Sequence, residues 1–202
     1  MKRILVLAVL ALALPMAVFA TSSIDYSNSG GTLTASTTGS LTLSGSDLTE
    51  VRGFPGSKIT GDNLGSVAFS TGALTSGSLD QGGTFAAGGW FTITGNGMNG
   101  VPNGVLFTGT FSAPVTWTLI TNADGTHNYT LSGSLTGTTA SGFQTVGTTF
   151  QLTINTGKGF FDNSGTVGSG DTNIVVPEPG SLGLLGTGLI GLAGVVRRKL
   201  KA

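Results

Sequence analysis

The only histidine of the chain, His127, follows Asp124 by three positions in the segment Asp124-Gly125-Thr126-His127. Because serine is abundant, these two residues could belong to a Ser-His-Asp arrangement for nucleophilic catalysis. However, the chain has no Gly-x-Ser-x-Gly segment that would place a serine on a nucleophile elbow. A polar residue that leaves a hairpin turn explains the segment better. We therefore expect no catalytic residue and no enzymatic activity.

The carboxylates are few and most lie beside glycine, asparagine or serine, where turns form. A glycosidase needs two converging carboxylates, one with a raised pKa, and no spacing here indicates such a pair. The segment Asn122-x-Asp124-Gly125 matches part of a calcium loop, but Ile120 replaces the first acid and no glutamate follows. We predict no cofactor and no placed metal site, and leave open calcium binding by scattered loop carboxylates. Four acids are predicted to be turn residues: Asp62, Asp80, Asp124 and Asp171.

Trp90 is the one residue that the sequence marks as a possible ligand contact. It follows Gly88-Gly89, and if Phe91 faces the core, Trp90 faces outward. An exposed tryptophan could stack on a sugar ring, whereas a covered one would pack against a second sheet or a loop. Thr-x-Thr pairs could match an ice lattice, but their unequal spacing fits the outer face of an ordinary sheet equally well. These pairs lie at 32/34, 92/94, 108/110, 116/118 and 136/138.

The elements that must position these residues are short strands, because apolar and hydroxyl residues alternate along most of the body. The cleanest case is the segment 150–155, with Phe150, Leu152 and Ile154 on one face. Asn122-Ala123-Asp124-Gly125 predicts a hairpin turn. Residues 21–31 and 163–173 are predicted to be flexible flanks. The pattern favours an all-β fold, an antiparallel β-sandwich or a related barrel.

Composition narrows the class of protein further. Glycine accounts for 35 of the 202 residues, but aromatic residues are spread through the body, so we expect an ordered domain rather than a disordered tract. Residues 21–176 carry three cations and eight acids, which argues against a nucleic-acid partner. The chain has no cysteine, so neither disulfides nor thiolate metal sites are available.

The N-terminus has the organisation of a secretory signal peptide. Basic Lys2-Arg3 precedes an apolar stretch from Ile4 to Leu14, and Pro15 follows. Val18-Phe19-Ala20 places small or aliphatic residues at the −3 and −1 positions, so we predict cleavage by signal peptidase after Ala20. The expected segments are a signal helix over 1–20, an exported all-β domain over 21–176 and a sorting and anchor segment over 177–202.

The C-terminus combines three signals in a fixed order. Pro177-Glu178-Pro179 precedes an apolar run from Leu182 to Val196, and the basic tail Arg197-Arg198-Lys199 follows. As a helix the run would be roughly 22 Å long, which is short for a hydrocarbon core about 30 Å thick. Its glycines lower helix propensity. We therefore predict a temporary transmembrane helix with a cytoplasmic basic tail.

This tail resembles the PEP-CTERM sorting signal of exported proteins of Gram-negative bacteria. The resemblance covers about the last 26 residues and implies that a membrane-embedded exosortase recognises the box and cuts the chain. Proteins with this signal are often linked to exopolysaccharide and biofilm matrix. Similar tails are sometimes labelled as the C-terminal domain of ice-binding proteins, which says nothing of the body.

The sequence thus predicts a non-enzymatic protein, transiently anchored in the cytoplasmic membrane and then delivered to the cell surface or extracellular matrix. Its polar Ser/Thr/Gly face would contact exopolysaccharide. The alternative is a specific carbohydrate-binding or adhesin module with Trp90 as its contact. An ice-binding protein and a hydrolase are less favoured.

Overall fold

A computed structural model describes residues 21–54, 57–145, 147–177 and residue 188. Among the described residues from 21 to 177 the regular elements are twelve strands, and every strand pair with a defined register is antiparallel. Residues Ser23–Val176 form one compact unit. The strands are β1 (Thr21–Ser29), β2 (Thr32–Ala35), β3 (Leu41–Phe54), β4 (Ser57–Ser70), β5 (Leu74–Ser78), β6 (Gly82–Phe85), β7 (Gly88–Asn96), β8 (Asn103–Phe111), β9 (Val115–Thr121), β10 (His127–Thr139), β11 (Gly147–Asn155) and β12 (Ser164–Pro177).

Eight of these strands close into a barrel-like sheet. The order β2-β3-β4-β7-β8-β10-β11-β12 returns to β2, so each of these strands has a partner on both sides. β1 lies beside β12 and β3, in line with β2. Gly30 and Gly31 join β1 to β2 with φ angles of 67° and 76°, a left-handed conformation that glycine adopts without a steric penalty. Of the two predicted architectures, the structure therefore corresponds to the barrel.

A second branch of the sheet begins at β10. The first half of β10 pairs with β9 and its second half pairs with β8, so β8 and β9 follow each other along the same strand. β9 pairs in turn with β6, and β6 pairs with β5. The predicted hairpin turn lies between β9 and β10, where the Gly125 N–H donates to the Asn122 carbonyl over 3.0 Å.

The barrel-like sheet encloses an aromatic core. Phe150 on β11 lies 5.0 Å from Phe69 on β4 and 5.1 Å from Phe91 on β7, measured between ring centroids. Phe107 and Phe111 on β8 complete the group. All five side chains are buried. Their edge-to-face contacts add to the stabilisation from removing apolar surface from water.

A second aromatic group lies on β9 and β10. Trp117 stacks on Tyr129 with ring centroids 4.8 Å apart, and Phe161 meets the edge of Trp117. The Trp117 Nε1–H donates to the Leu79 carbonyl over 2.8 Å, and the Tyr129 hydroxyl donates to the Asp80 carbonyl over 2.6 Å. These bonds hold the β5–β6 turn against the sheet and give buried polar atoms the partners they need.

The strands confirm the predicted alternation and correct the predicted flanks. Phe150, Leu152 and Ile154 are buried and face the same side of β11. The segments 21–31 and 163–173, predicted to be flexible, instead lie largely in β1 and β12, because each finds an antiparallel neighbour in the closed sheet. The predicted signal helix lies outside the described residues, as do Ala20 and all of the predicted C-terminal helix except residue 188, which is helical. No helix among the described residues has the length and apolar character needed to span a membrane.

Candidate functional site

His127 and Asp124, the residues considered for catalysis, have separate partners. Asp124 Oδ1 accepts hydrogen bonds from the Thr126 hydroxyl over 2.7 Å and from the Thr126 N–H over 3.0 Å, and these bonds lower the pKa of its carboxyl group. His127 is buried, with Nδ1 3.1 Å from the Thr121 hydroxyl. The ring of Phe160 stacks on its imidazole at 4.3 Å. Asp124 thus stabilises the hairpin turn, and His127 packs at the start of β10.

The acids predicted to lie in turns divide into two pairs. Asp80 lies in a turn like Asp124, and hydrogen bonds from Ser78 and Gln81 lower the pKa of its carboxyl group. Asp62 and Asp171 were predicted wrongly, because they lie within β4 and β12. No group of three His, Asp or Glu residues that could hold a metal ion occurs in the described part of the chain.

Trp90 faces outward from β7, as the sequence predicted. Its residue surface is 46% exposed, whereas Phe91 and Ile93 are fully buried. Trp90 lies opposite Ser70 of β4, and Ser70 lies opposite Thr42 of β3. The Thr42 hydroxyl donates to the Ser70 hydroxyl over 3.2 Å. Trp90 is therefore an accessible aromatic side chain beside a row of hydroxyl groups.

A groove on the outer face of the sheet was not predicted. It consists of two adjoining hollows of about 430 Å³ and 340 Å³, and both are lined by Gln151 and Asp171. These two residues lie opposite each other on β11 and β12. The first hollow is also lined by Pro114, Thr116, Ser132, Gly133, Ser134, Thr149 and Phe150, and the second by Ser27, Asn28, Ser29, Thr49, Thr153, Ser169 and Gly170.

The floor of the groove contains one row of polar side chains that crosses the strands. Thr116 on β9 lies opposite Ser132 on β10, which lies opposite Gln151 on β11. Asp171 on β12 follows, and Ser27 on β1 donates to Asp171 Oδ1 over 3.4 Å. At the usual strand spacing, the five strands from β9 to β1 extend the row over roughly 19 Å.

Asp171 is the only charged residue among the described residues that line the two hollows. Burial and the neighbouring carboxylate of Asp25 raise the pKa of its carboxyl group, and the Ser27 hydroxyl partly opposes this. Asp25 Oδ1 is itself buried without a hydrogen-bond partner. Arg52 and Lys58 are engaged elsewhere, since both form ion pairs with Glu50. Within the part of the chain that the structure describes, no ion pair compensates the charge of Asp25 and Asp171.

Asn28, which lines the second hollow, also has an unsatisfied oxygen. Asn28 is 2% exposed, and its Nδ2 donates to the Ser46 hydroxyl over 2.7 Å. Asn28 Oδ1 has no hydrogen-bond partner among the described residues. A side chain at Gly170 would collide with this amide group, so glycine is what permits Asn28 to lie against β12. Buried oxygens without partners are costly in free energy.

The sequence offered one signal for this groove, namely the outward residues between the buried ones of β11. Thr149, Gln151 and Thr153 alternate with the core residues.

The residues predicted for processing lie mostly outside the described part of the chain. Pro177, the first residue of the Pro-Glu-Pro box, is the last residue of β12. The remaining residues of the predicted signal lie outside the described part of the chain: Glu178, Pro179, Arg197, Arg198 and Lys199.

Comparison with known proteins identifies the tail. The family model of the PEP-CTERM protein-sorting motif matches residues 175–199, so the resemblance stated from the sequence is confirmed for the C-terminal tail. The motif indicates an exported protein that exosortase processes, with transient membrane anchoring through the tail. No curated protein and no solved structure gives a significant match to the chain.

Proposed function

We propose that the protein is a non-enzymatic component of the cell surface or extracellular matrix of a Gram-negative bacterium, where it associates with exopolysaccharide. The PEP-CTERM motif at residues 175–199 carries this proposal, since it marks the chain for export and exosortase processing. The body supports it with an outer face rich in uncharged hydroxyl and amide groups, which suit the hydroxyls of a hydrated polysaccharide.

The fold also suits a domain that works outside the cell without disulfides. Its stability comes from a closed sheet, in which each of the eight strands has a neighbour on both sides, and from a core of large aromatic side chains. The signal peptide would be removed by signal peptidase after Ala20. β12 ends at Pro177, the first residue of the sorting box, and exosortase would recognise this box.

Mass spectrometry of the surface form tests the processing step. We expect the mature chain to begin at Thr21 and to lack Arg197 and the residues after it. A variant with Glu178→Ala should accumulate in the membrane fraction with the tail attached, because the box is altered. The matched control is Glu50→Ala, which removes the same side chain in the body and should be processed normally. A surface form that retains the complete tail would contradict the proposal.

Fractionation of biofilm tests the association with the matrix. The mature protein should be recovered with the exopolysaccharide and be released when the polysaccharide is digested. Recovery only in the soluble medium would contradict a matrix role. Hydrolysis of a polysaccharide by the purified protein, lost on substitution of a single aspartate, would contradict the non-enzymatic part of the proposal.

Trp90 favours a second candidate function, a specific carbohydrate-binding or adhesin module. Its exposed indole ring beside hydroxyl side chains is the arrangement that stacks on a sugar ring. Binding to a glycan array should then be abolished by Trp90→Ala. Phe160→Ala is the control, because Phe160 is similarly exposed at 48% on a different part of the fold. Equal binding by the wild-type protein and Trp90→Ala would rule out this contact.

A further inference from the structure

We propose that the groove across Gln151 and Asp171 binds a linear polysaccharide whose sugars carry ammonium groups, with one ammonium group paired with the Asp171 carboxylate. This inference rests on the proposed function, and it names both the binding site and the class of polysaccharide. It assigns binding to β9–β12 and β1 rather than to Trp90, which lies on β7.

The shape of the groove indicates a linear ligand. The register places Thr116, Ser132, Gln151, Asp171 and Ser27 in one row across five neighbouring strands. The hollows on either side of the Gln151–Asp171 pair have similar volumes, about 430 Å³ and 340 Å³. A chain laid across the strands would fill both hollows and pass over Asp171 between them.

The lining indicates a sugar. Hydroxyl groups line both hollows, and the Gln151 amide can donate and accept hydrogen bonds at their shared boundary. Carboxylate and amide groups next to each other can bind neighbouring hydroxyls of one sugar ring. Asn28, which also lines the second hollow, has a buried Oδ1 without a hydrogen-bond partner among the described residues.

The charge indicates an ammonium group. Asp171 is the only charged residue among the described residues that line the two hollows, and the cations Arg52 and Lys58 form their ion pairs with Glu50 instead. A protonated amine on the ligand would compensate this charge, whereas uronate or sulfate groups would be repelled by it. The body also carries more acids than cations, which extends this preference to the rest of the surface.

Calorimetric titration with two matched probes tests the inference. A fully de-N-acetylated chitosan hexamer has protonated amines at mildly acidic pH, while the fully N-acetylated chitin hexamer has none. We expect the chitosan hexamer to bind more tightly and its affinity to fall as salt is added. Equal affinity for both hexamers, or binding to neither, would overturn the inference.

Substitution at the groove locates the binding. Asp171→Asn keeps the shape of the side chain and should weaken chitosan binding by about tenfold or more, the range for a hydrogen bond to a charged group. Asp62→Asn is the matched control, since it removes the same charge from an exposed position on β4 outside the groove. Gln151→Ala should also weaken binding. Unchanged binding by Asp171→Asn would overturn the inference.

Two further outcomes distinguish a site for amino sugars from a simple cation site and from a failure of export. If calcium ions alone bind in an Asp171-dependent way and neither hexamer binds, the carboxylates form a cation site and the inference is wrong. If the mature protein is processed and found with the matrix but does not bind the chitosan hexamer, the inference fails while the proposed function stands. If the protein is never exported, the proposed function fails, and the titrations alone decide whether the groove binds amino sugars.

Discussion

The two faces of β11 and β12 differ in whether their side chains find partners within the protein. On the inner face, Phe150 lies among aromatic rings at 5.0 to 6.1 Å. On the outer face, one position further along the chain, Gln151 lies opposite Asp171, whose charge has no ion-pair partner among the described residues. The same two strands thus carry the aromatic core on one face and the proposed binding groove on the other, because successive side chains point to opposite faces.

The largest effect is expected on the inner face. Phe150→Ala removes a buried ring that contacts Phe69, Phe91 and Phe111. We expect it to lower the free energy of unfolding by about 3–5 kcal/mol, because it leaves a cavity that the surrounding rings cannot readily fill. Urea denaturation measures this change.

Trp90→Ala is the control for that substitution, because it removes an even larger ring from an exposed position. Its effect should stay within about 1 kcal/mol, since most of the surface of an exposed side chain is hydrated in both states. If both variants lost a similar amount of unfolding free energy, the interior of the barrel-like sheet would not be the principal source of stability.

An intermediate effect is expected where polar groups are buried and satisfied. The Tyr129 hydroxyl donates to the Asp80 carbonyl and accepts from the Phe161 N–H over 3.0 Å. Tyr129→Phe leaves both backbone groups without this partner, so we expect a loss of roughly 1–3 kcal/mol in unfolding free energy.

Tyr26→Phe is the matched control for Tyr129→Phe. Burial raises the pKa of Tyr26 to about 12. No side-chain hydrogen bond joins its hydroxyl to another described residue in the way that Tyr129 is joined. Thermal denaturation should therefore show a smaller change for Tyr26→Phe. A larger loss from Tyr26→Phe would contradict the importance of the Tyr129 bonds.

The smallest effect is expected on the outer face, and its sign depends on pH. The pKa of Asp171 is raised above its ordinary value of 3.8, chiefly by partial burial and then by the neighbouring Asp25 carboxylate. A raised pKa gives stability that is fully present below that ordinary value and is lost as pH rises through the pKa of the folded state. The contribution of Asp171 to stability is therefore smaller at neutral pH than in acid.

Asp171→Asn should remove this pH-dependent loss. At neutral pH we expect the variant to be more stable than the wild-type protein, by less than about 1 kcal/mol because the side chain is largely exposed and solvent screens its charge. The difference should vanish in acid, and urea denaturation at several pH values measures it. A stability loss at neutral pH would contradict an uncompensated charge at this position.

Local patterning explains why much of the fold could be predicted. The alternation in 150–155 predicted β11 and its buried face, and Asn122-Ala123-Asp124-Gly125 predicted the β9–β10 turn, because neighbouring residues determine both features. Trp90 was correctly predicted to face outward for the same reason. The PEP-CTERM motif was also recognisable, since its three parts are contiguous.

Only the tertiary structure decided which strands became neighbours. β1 and β12 have few features of strands by themselves, and they form strands because the closed sheet supplies partners for their backbone groups. The groove depends on pairings between segments that are distant in sequence. Ser27 donates a hydrogen bond to Asp171, and Asp25 raises the pKa of the Asp171 carboxyl group, although both lie near the other end of the domain's sequence. Side-chain alternation specifies which face a residue occupies, but the register with other strands specifies which residues it meets. For that reason the sorting signal in the tail could be identified from the sequence, whereas the polar row that we propose as a binding site could be identified only from the fold.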